Sequence, residues 1–384
     1  MSTGSGFPTA TDLMETARRH TGLDDFGDDY FIEGLERFVA SLEGELQLSA
    51  VSAESELSSI RRRLINRLEI EHWFHDNRGA TGIEVGPPVS ITGLPRTGTT
   101  ALVNMLSLDS QFQRLRMWEQ LQPCPPPLEG ADETDPRRLV AIAEKEKLSR
   151  ERPDLMTMHL FDPDATEEDV EILGLTFRAQ QFVLPIYDYH AWWRDTNLDE
   201  AFAYHRRAIT LLQSERKSNR WLFKAPAHQY HLEAFVKAYP GAKIIMTHRD
   251  PAKAVPSAIS FSSSLQPSDL EVDASALGRR KAEHLRIGCD RAIEARARIG
   301  ENCFFDIHHQ AFLADPFGTI ERLYAFLERP WTSETQRKME DWYSKNRSGA
   351  HGAHRYTPED FGLSAHQLRV DFRNYMNRFS VEVG

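Results

Sequence analysis

The segment Gly93-Leu94-Pro95-Arg96-Thr97-Gly98-Thr99-Thr100 has the composition of an anion cradle. Its glycines permit a tight turn, and the residues that follow open a helical stretch. Free backbone N–H groups and the positive end of a helix dipole would then face a bound anion. The hydroxyls of Thr97, Thr99 and Thr100 are further donors, and Arg96 sets a cation inside the loop. The spacing nearly fits the nucleotide P-loop, G-x-x-x-x-G-K-[ST], but the lysine position holds Thr99. That lysine normally reaches the β- and γ-phosphates of a triphosphate. With Arg96 as the loop's cation instead, the expected anion has no γ-phosphate and needs no magnesium bridge. A Gly-Thr turn without a ligand is the plain alternative, and the strand–loop–helix setting argues against it.

Two further segments set basic groups after strand-like runs. One is Trp221-Leu222-Phe223-Lys224-Ala225-Pro226-Ala227-His228; the other is Lys243 to Thr247 followed by His248-Arg249-Asp250-Pro251. Taken alone, the second would pass for a surface Arg-Asp pair with Asp250 at a helix start.

Together these residues resemble the sulfotransferase family that uses 3'-phosphoadenosine-5'-phosphosulfate (PAPS). Its 5'-phosphosulfate loop has the form P-[KR]-[ST]-G-[ST]-T, which Pro95 to Thr100 match in full. The family holds the 3'-phosphate with an arginine at a strand end and a serine eight residues on; here these are Arg249 and Ser257. A guanidinium can fork onto phosphate oxygens while the hydroxyl donates from the other side. The likeness is greatest to a bacterial branch with LK-x-P-x-H, HRDP and a late H-x-Y-x-x-E-D-F-G signature. The last reads His354-Arg355-Tyr356-Thr357-Pro358-Glu359-Asp360-Phe361-Gly362, and the resemblance makes Arg355 a further phosphate contact. One departure stands out: His309-Gln310 occupies the place of a Tyr-Glu pair before Asp315-Pro316, so no adenine contact is carried over there.

The resemblance implies in-line sulfuryl transfer, with Arg96 and Lys224 on the bridging and equatorial oxygens. The acceptor hydroxyl must lose a proton to a base within hydrogen-bond reach. Two candidates compete. Glu119 lies beyond the helix after the loop, where several carbohydrate sulfotransferases carry a glutamate base. His228 follows Lys224, where cytosolic aryl sulfotransferases carry a histidine at tighter spacing. Each has a duller reading: Glu119 as a solvated helix-end carboxylate, His228 as a helix cap.

The elements that would position these groups alternate. Val89–Thr92, Trp221–Lys224, Lys243–Thr247 and Cys303–Ile307 read as strands. Thr99–Leu106, the stripe Leu232, Phe235, Val236, Tyr239, and the run from Thr319 to Leu327 read as helices. Alternation predicts an α/β fold: a P-loop-like three-layer sandwich with a central parallel sheet flanked by helices. Residues 1–88 read as an N-terminal helical segment packed on a sulfotransferase domain, 89–384, with a helical cap inserted at about 120–220. Within the segment, the first 20 or so residues read as a loose arm, before stripes at Leu35–Leu46 and Leu57–Leu68. The aromatic run from Phe177 to Tyr204 reads chiefly as cap core, and could also line an acceptor site.

Composition narrows the partners. A net charge of -11 over 384 residues gives no broad attraction for nucleic acid, so any phosphate site is a local basic pocket. Three cysteines without a C-x-x-C pair indicate neither a disulfide framework nor a zinc site, and no metal is expected. With no apolar leader or spanning run, the expected location is the cytoplasm. The acceptor is left as a small molecule, a carbohydrate or a lipid. The N-terminal helices are open to homo-oligomer formation, covering the acceptor site, or peripheral membrane contact. Two rivals remain: a magnesium-dependent P-loop kinase, and a non-catalytic protein that binds PAP, the desulfated product, or another nucleotide without turnover.

Overall fold

A computed structural model describes residues 6–130, 132–153, 156, 162–218, 220–346 and 356–384. Five strands form one sheet: β1 (Val89–Gly93), β2 (Gln113–Arg114), β3 (Trp221–Lys224), β4 (Lys243–His248) and β5 (Phe304–His308). Their order is β2-β3-β1-β4-β5, and every neighbouring pair is parallel. β1 is wholly buried, as expected of a central strand covered on both faces. The register sets Ile91 beside Lys224 and Ile245, and Gly93 beside Thr247. The carboxyl ends of β1, β3 and β4 therefore lie side by side.

Side-chain alternation along the strands builds the layers. Ile244 and Met246 join the helices Pro251–Ser264 and Ala274–Ile299 on one face. Ile245, Val89 and Ile91 join Thr99–Leu106 and Pro316–Phe326 on the other. Trp221 and Phe223 enter a third cluster that continues into the N-terminal helices and the cap. The expected three-layer sandwich is the fold observed.

The four strands read from sequence recur with ends shifted by at most one residue. β2 was missed; two residues carry no periodic signal. The helices Tyr30–Glu45 and Ala50–Asp76 contain the expected stripes except Leu46, the extended residue that ends the first. The loose arm is a correction. Ala10–Thr21 is a helix, started by a reciprocal cap between Thr9 and Asp12 and held by buried Leu13 and Ala17.

The cap contains the helices Pro136–Glu151, Val170–Gly174, Tyr187–Asp195 and Asp199–Gln213, and no strand among its described residues. Its contacts with the N-terminal helices are ionic as well as apolar. Glu171 accepts from Arg62 and Arg63, Glu33 from Arg178, and Glu71 from Arg207. No described helix is long and apolar enough to cross a membrane.

Several histidines are packed away. Burial brings His190 down to about 4 and His231 to about 3, and lowers His284 well below its ordinary value. These rings stay neutral in the fold, while the unfolded chain protonates them near pH 6.5. Stability is therefore expected to decline as pH falls below about 6.5, by up to about 1.4 kcal/mol per pH unit for each ring, until each reaches its folded pKa. Denaturant titrations at neutral and mildly acidic pH measure this; a midpoint unchanged down to pH 5 would contradict it.

Candidate active site

The glycine loop starts where β1 is pressed hardest against β4. Gly93 has φ 123°, and a Cβ there would lie 2.5 Å from the Thr247 carbonyl oxygen. Gly98, at φ 97°, caps the helix Thr99–Leu106, and Leu102 N–H donates back to its carbonyl. First-turn N–H groups have no acceptor within the helix, so those of Thr99 and Thr100 are offered at the loop. Arg96 also has a positive φ, 66°, costing roughly 1–2 kcal/mol for a side-chain-bearing residue. Thr97 departs from its expected role. Its hydroxyl turns inward, donating to Leu94 O at 2.7 Å and meeting Thr247 Oγ1 at 2.6 Å, so it ties the loop to β4.

The second basic segment meets the first directly. Asp250 caps the helix Pro251–Ser264, accepting from Ala252 N–H at 2.9 Å, and pairs with Arg369 at 2.8 Å. That leaves Arg249 without a carboxylate partner among the described residues. Its Nη1 donates to Arg96 O at 2.7 Å, and Arg96 Nε donates to Ser257 Oγ at 3.2 Å. The two expected anion corners thus share one cluster. Burial pulls the Arg96 guanidinium below its ordinary pKa; Tyr356 opposes this and the Arg249 charge adds to it. Adjacent guanidiniums of this kind are relieved by an anion. Arg355 lies outside the described residues.

Lys224, at the end of β3, supplies the third cation. Its Nζ lies 3.2 Å from Glu168 Oε1, and the Glu168 side chain keeps 36% of its exposure. Glu168 was not expected from sequence. The next residue, Asp169, is completely buried beneath it. His205 Nε2 and His228 Nε2 both approach Asp169 Oδ2 at 3.1 Å, although neither N–H points squarely at the oxygen. The far ring nitrogens take hydroxyl partners: His228 Nδ1 with Ser90 at 2.9 Å, His205 Nδ1 with Tyr239 at 2.7 Å. A carboxylate can only accept, so a proton on Nε2 is the form that suits the approach of each ring to Asp169, with the hydroxyl then donating to Nδ1. Burial pushes the Asp169 carboxyl up, but the histidines outweigh it and hold it well below the usual range. His205 itself is lowered, chiefly by burial.

The two residues expected to compete as base are both enclosed. His228 has no exposed surface; its Nδ1 meets Ser90 Oγ and its Nε2 lies 3.1 Å from Asp169 Oδ2. Glu119 has none either. Its carboxylate accepts from Arg116 N–H at 2.8 Å, from Arg116 Nη2 at 2.7 Å, and from Arg216. Glu119 is thus a buried ion-cluster member rather than a solvated helix-end carboxylate. The signal that could have found Glu168 was an acidic pair, Glu168-Asp169, directly before the helix Val170–Gly174.

Three strand ends, each contributing a cation around a glycine loop, define an anion-handling α/β protein of the P-loop-like kind. The profile described as the Sulfotransferase family matches residues 87–333, and the chain belongs to that family. Among solved structures, it is similar to sulfotransferase STF9 from Mycobacterium avium, with TM-score 0.89 and 28% identity, covering 100% of this chain and 99% of that one. Sulfotransferase STF1 from Mycobacterium tuberculosis H37Rv shares the fold, with TM-score 0.84 and 24% identity over 96% of this chain and 99% of that one. No curated protein matches the chain. The chain is an enzyme of sulfuryl transfer, in a family whose typical donor is PAPS.

Asp169→Asn tests the buried network. The amide has one acceptor where the carboxylate has two and brings its own N–H donors against the histidine N–H groups. The expected loss of folding stability at pH 7 is about 1–3 kcal/mol. A denaturant midpoint equal to that of the parent chain would show that Asp169 does not organise the two rings.

Proposed function

We propose that this chain moves the sulfuryl group of PAPS to an acceptor hydroxyl, with Glu168 taking the acceptor proton. The observation that carries the reading is the contact cluster at the strand ends, where Arg249 and Ser257 both touch Arg96 of the glycine loop. One bisphosphorylated nucleotide can span corners that close. The 5'-phosphosulfate takes the N–H groups of Gly98, Thr99 and Thr100 together with Arg96 and Lys224. The 3'-phosphate takes Arg249 and Ser257, and Arg355 adds a contact on the strength of the family resemblance.

In the transfer step the acceptor oxygen attacks sulfur in line. The new O–S bond forms as the bond from sulfur to the 5'-phosphate oxygen breaks. The bonding pair leaves with that oxygen, where Arg96 and Lys224 offset the growing charge. The acceptor proton passes to Glu168. Glu168 is preferred to Glu119 and His228 because it alone keeps exposed surface beside Lys224. Without donor, Lys224 holds the Glu168 carboxylate. As Lys224 turns to the sulfuryl oxygens, the carboxylate is released toward the acceptor.

The acceptor class stays at a small molecule, a carbohydrate or a lipid, and the cytoplasm is the compartment we propose. The N-terminal segment, residues 1–88, is read as part of the frame of the 89–384 domain. Support comes from the apolar cluster that runs unbroken from Ala10 to Ala242.

Glu168→Gln is expected to lower the rate of sulfuryl transfer by about 100-fold or more. PAP affinity, read by calorimetry, is expected to change little. A variant with near-parent turnover would remove Glu168 as base. In the same calorimeter, PAP is expected to bind without magnesium; a response to magnesium-ATP alone would favour the kinase reading.

A further inference from the structure

Away from the strand ends, a cavity of about 130 Å³ lies between the helices Tyr187–Asp195 and Ala274–Ile299. Phe182, Leu184, Pro185 and the ring of Tyr187 give it apolar walls. Its buried floor includes Lys281, which is 5% exposed. Lys281 Nζ donates to the Phe182 carbonyl and, at 2.9 Å, to Ser262 Oγ, but no carboxylate pairs with it among the described residues. Burial pulls its ammonium down to about 7, with no opposing charge to hold it up.

A second buried group at this cavity also lacks a partner. His284 lines it at 5% exposure. The Gln180 side-chain amide nitrogen lies 2.6 Å from His284 Nε2 and donates to it, which places the ring proton on Nδ1. Nδ1 has no acceptor. Both residues line the cavity, and neither has an anionic partner among the described residues. With Lys281 held as the ammonium by a bound anion, the cations Arg194, Arg280 and Lys281 outnumber the carboxylates Asp188 and Glu283 by one. A single negative charge would balance the lining; a phosphate dianion would overshoot it.

We infer that this cavity binds a small monocarboxylate with an apolar body, its carboxylate on Lys281 and His284 and its body against Phe182 and Leu184. At about 130 Å³ the cavity is smaller than the roughly 150 Å³ that accepts benzene, so a small acid is enclosed only in part and the remainder stands at the mouth beside Arg280. The site is separate from the strand-end cluster and does not depend on the choice of base. It abuts the helix Pro251–Ser264 through Ser262, the same helix that carries Ser257.

The test is calorimetric titration of benzoate into the full chain presaturated with PAP, which fills the nucleotide site. One benzoate is expected per chain. Benzyl alcohol, its neutral counterpart, is expected to bind at least about ten-fold more weakly, the size of a charge-assisted bond. Lys281→Met is expected to weaken benzoate by a similar factor with PAP affinity retained. Arg280→Gln, at the exposed mouth, is expected to weaken it several-fold and carries the test should the Lys281 variant not fold. Equal affinity for acid and alcohol, or benzoate binding untouched by either substitution, overturns the assignment. So does tighter binding of inorganic phosphate than of benzoate.

Discussion

The parallel pairing of β1 with β3 on one side and β4 on the other is the constraint on which the site depends. The three cation-bearing segments are up to 153 residues apart in sequence, as in the contact of Arg249 with Arg96. What brings them together is register: Ile91 beside Lys224, and Gly93 beside Thr247. Parallel strands share one carboxyl edge, so whatever follows each strand is delivered to the same crevice. Gly93 tightens that edge because its missing Cβ lets β1 approach Thr247, and the Thr97–Thr247 contact then clamps the loop to β4. A slip of one residue in either pairing would move a basic group out of the cluster while leaving the core apolar.

Behind that edge, buried charge is organised so that little of it is uncompensated. Asp169 touches histidines from the β3 end and from the helix Asp199–Gln213, and those rings reach back to Ser90 on β1 and to Tyr239. The cap is thereby joined to the sheet directly below Lys224. Arg116, Glu119, Arg216 and Asp132 form a second cluster at the end of β2. Pairs of this kind add little net stability over apolar packing, but losing one partner is costly, so they enforce one arrangement of the surrounding chain.

The basic cluster at the strand ends is legible in the sequence because its signals are local. The glycine loop after β1, Lys224 at the end of β3, and Arg249 with Ser257 after β4 each lie within a single strand–loop–helix unit. The helix Ala10–Thr21 was also locally signalled, by Thr9 and Asp12, and was read past because its apolar stripe is short. The burial of the acidic and histidine candidates is not legible, for another reason. Whether an acidic residue is sealed or available depends on partners far along the chain: Glu119 meets Arg216, 97 residues on, and Glu168 meets Lys224 across the cap. Sequence places Glu119 beyond the helix that follows the glycine loop but does not say that two guanidiniums will close over it. The enclosure of His228 is likewise hidden, since it comes from Asp169 and Ser90, neither of which is near it in sequence.

Lys224 faces two competing negative partners in the proposed reaction, the Glu168 carboxylate and the sulfuryl oxygens of the donor. It is buried and carries one charge, so it cannot serve both fully. A carboxylate held by an ammonium is a poor proton acceptor, and it becomes a better one when the ammonium turns elsewhere. In this reading, the cation that draws charge from the leaving group also uncovers the base, and it does so only when donor is present. Asp169 gives the exchange its direction. Anchored by two rings, it fixes the backbone next to Glu168, so the carboxylate can swing but its chain cannot follow the lysine. On the proposed mechanism the sheet edge would hold the donor and the cap the base, with a buried acid that touches neither substrate setting their separation.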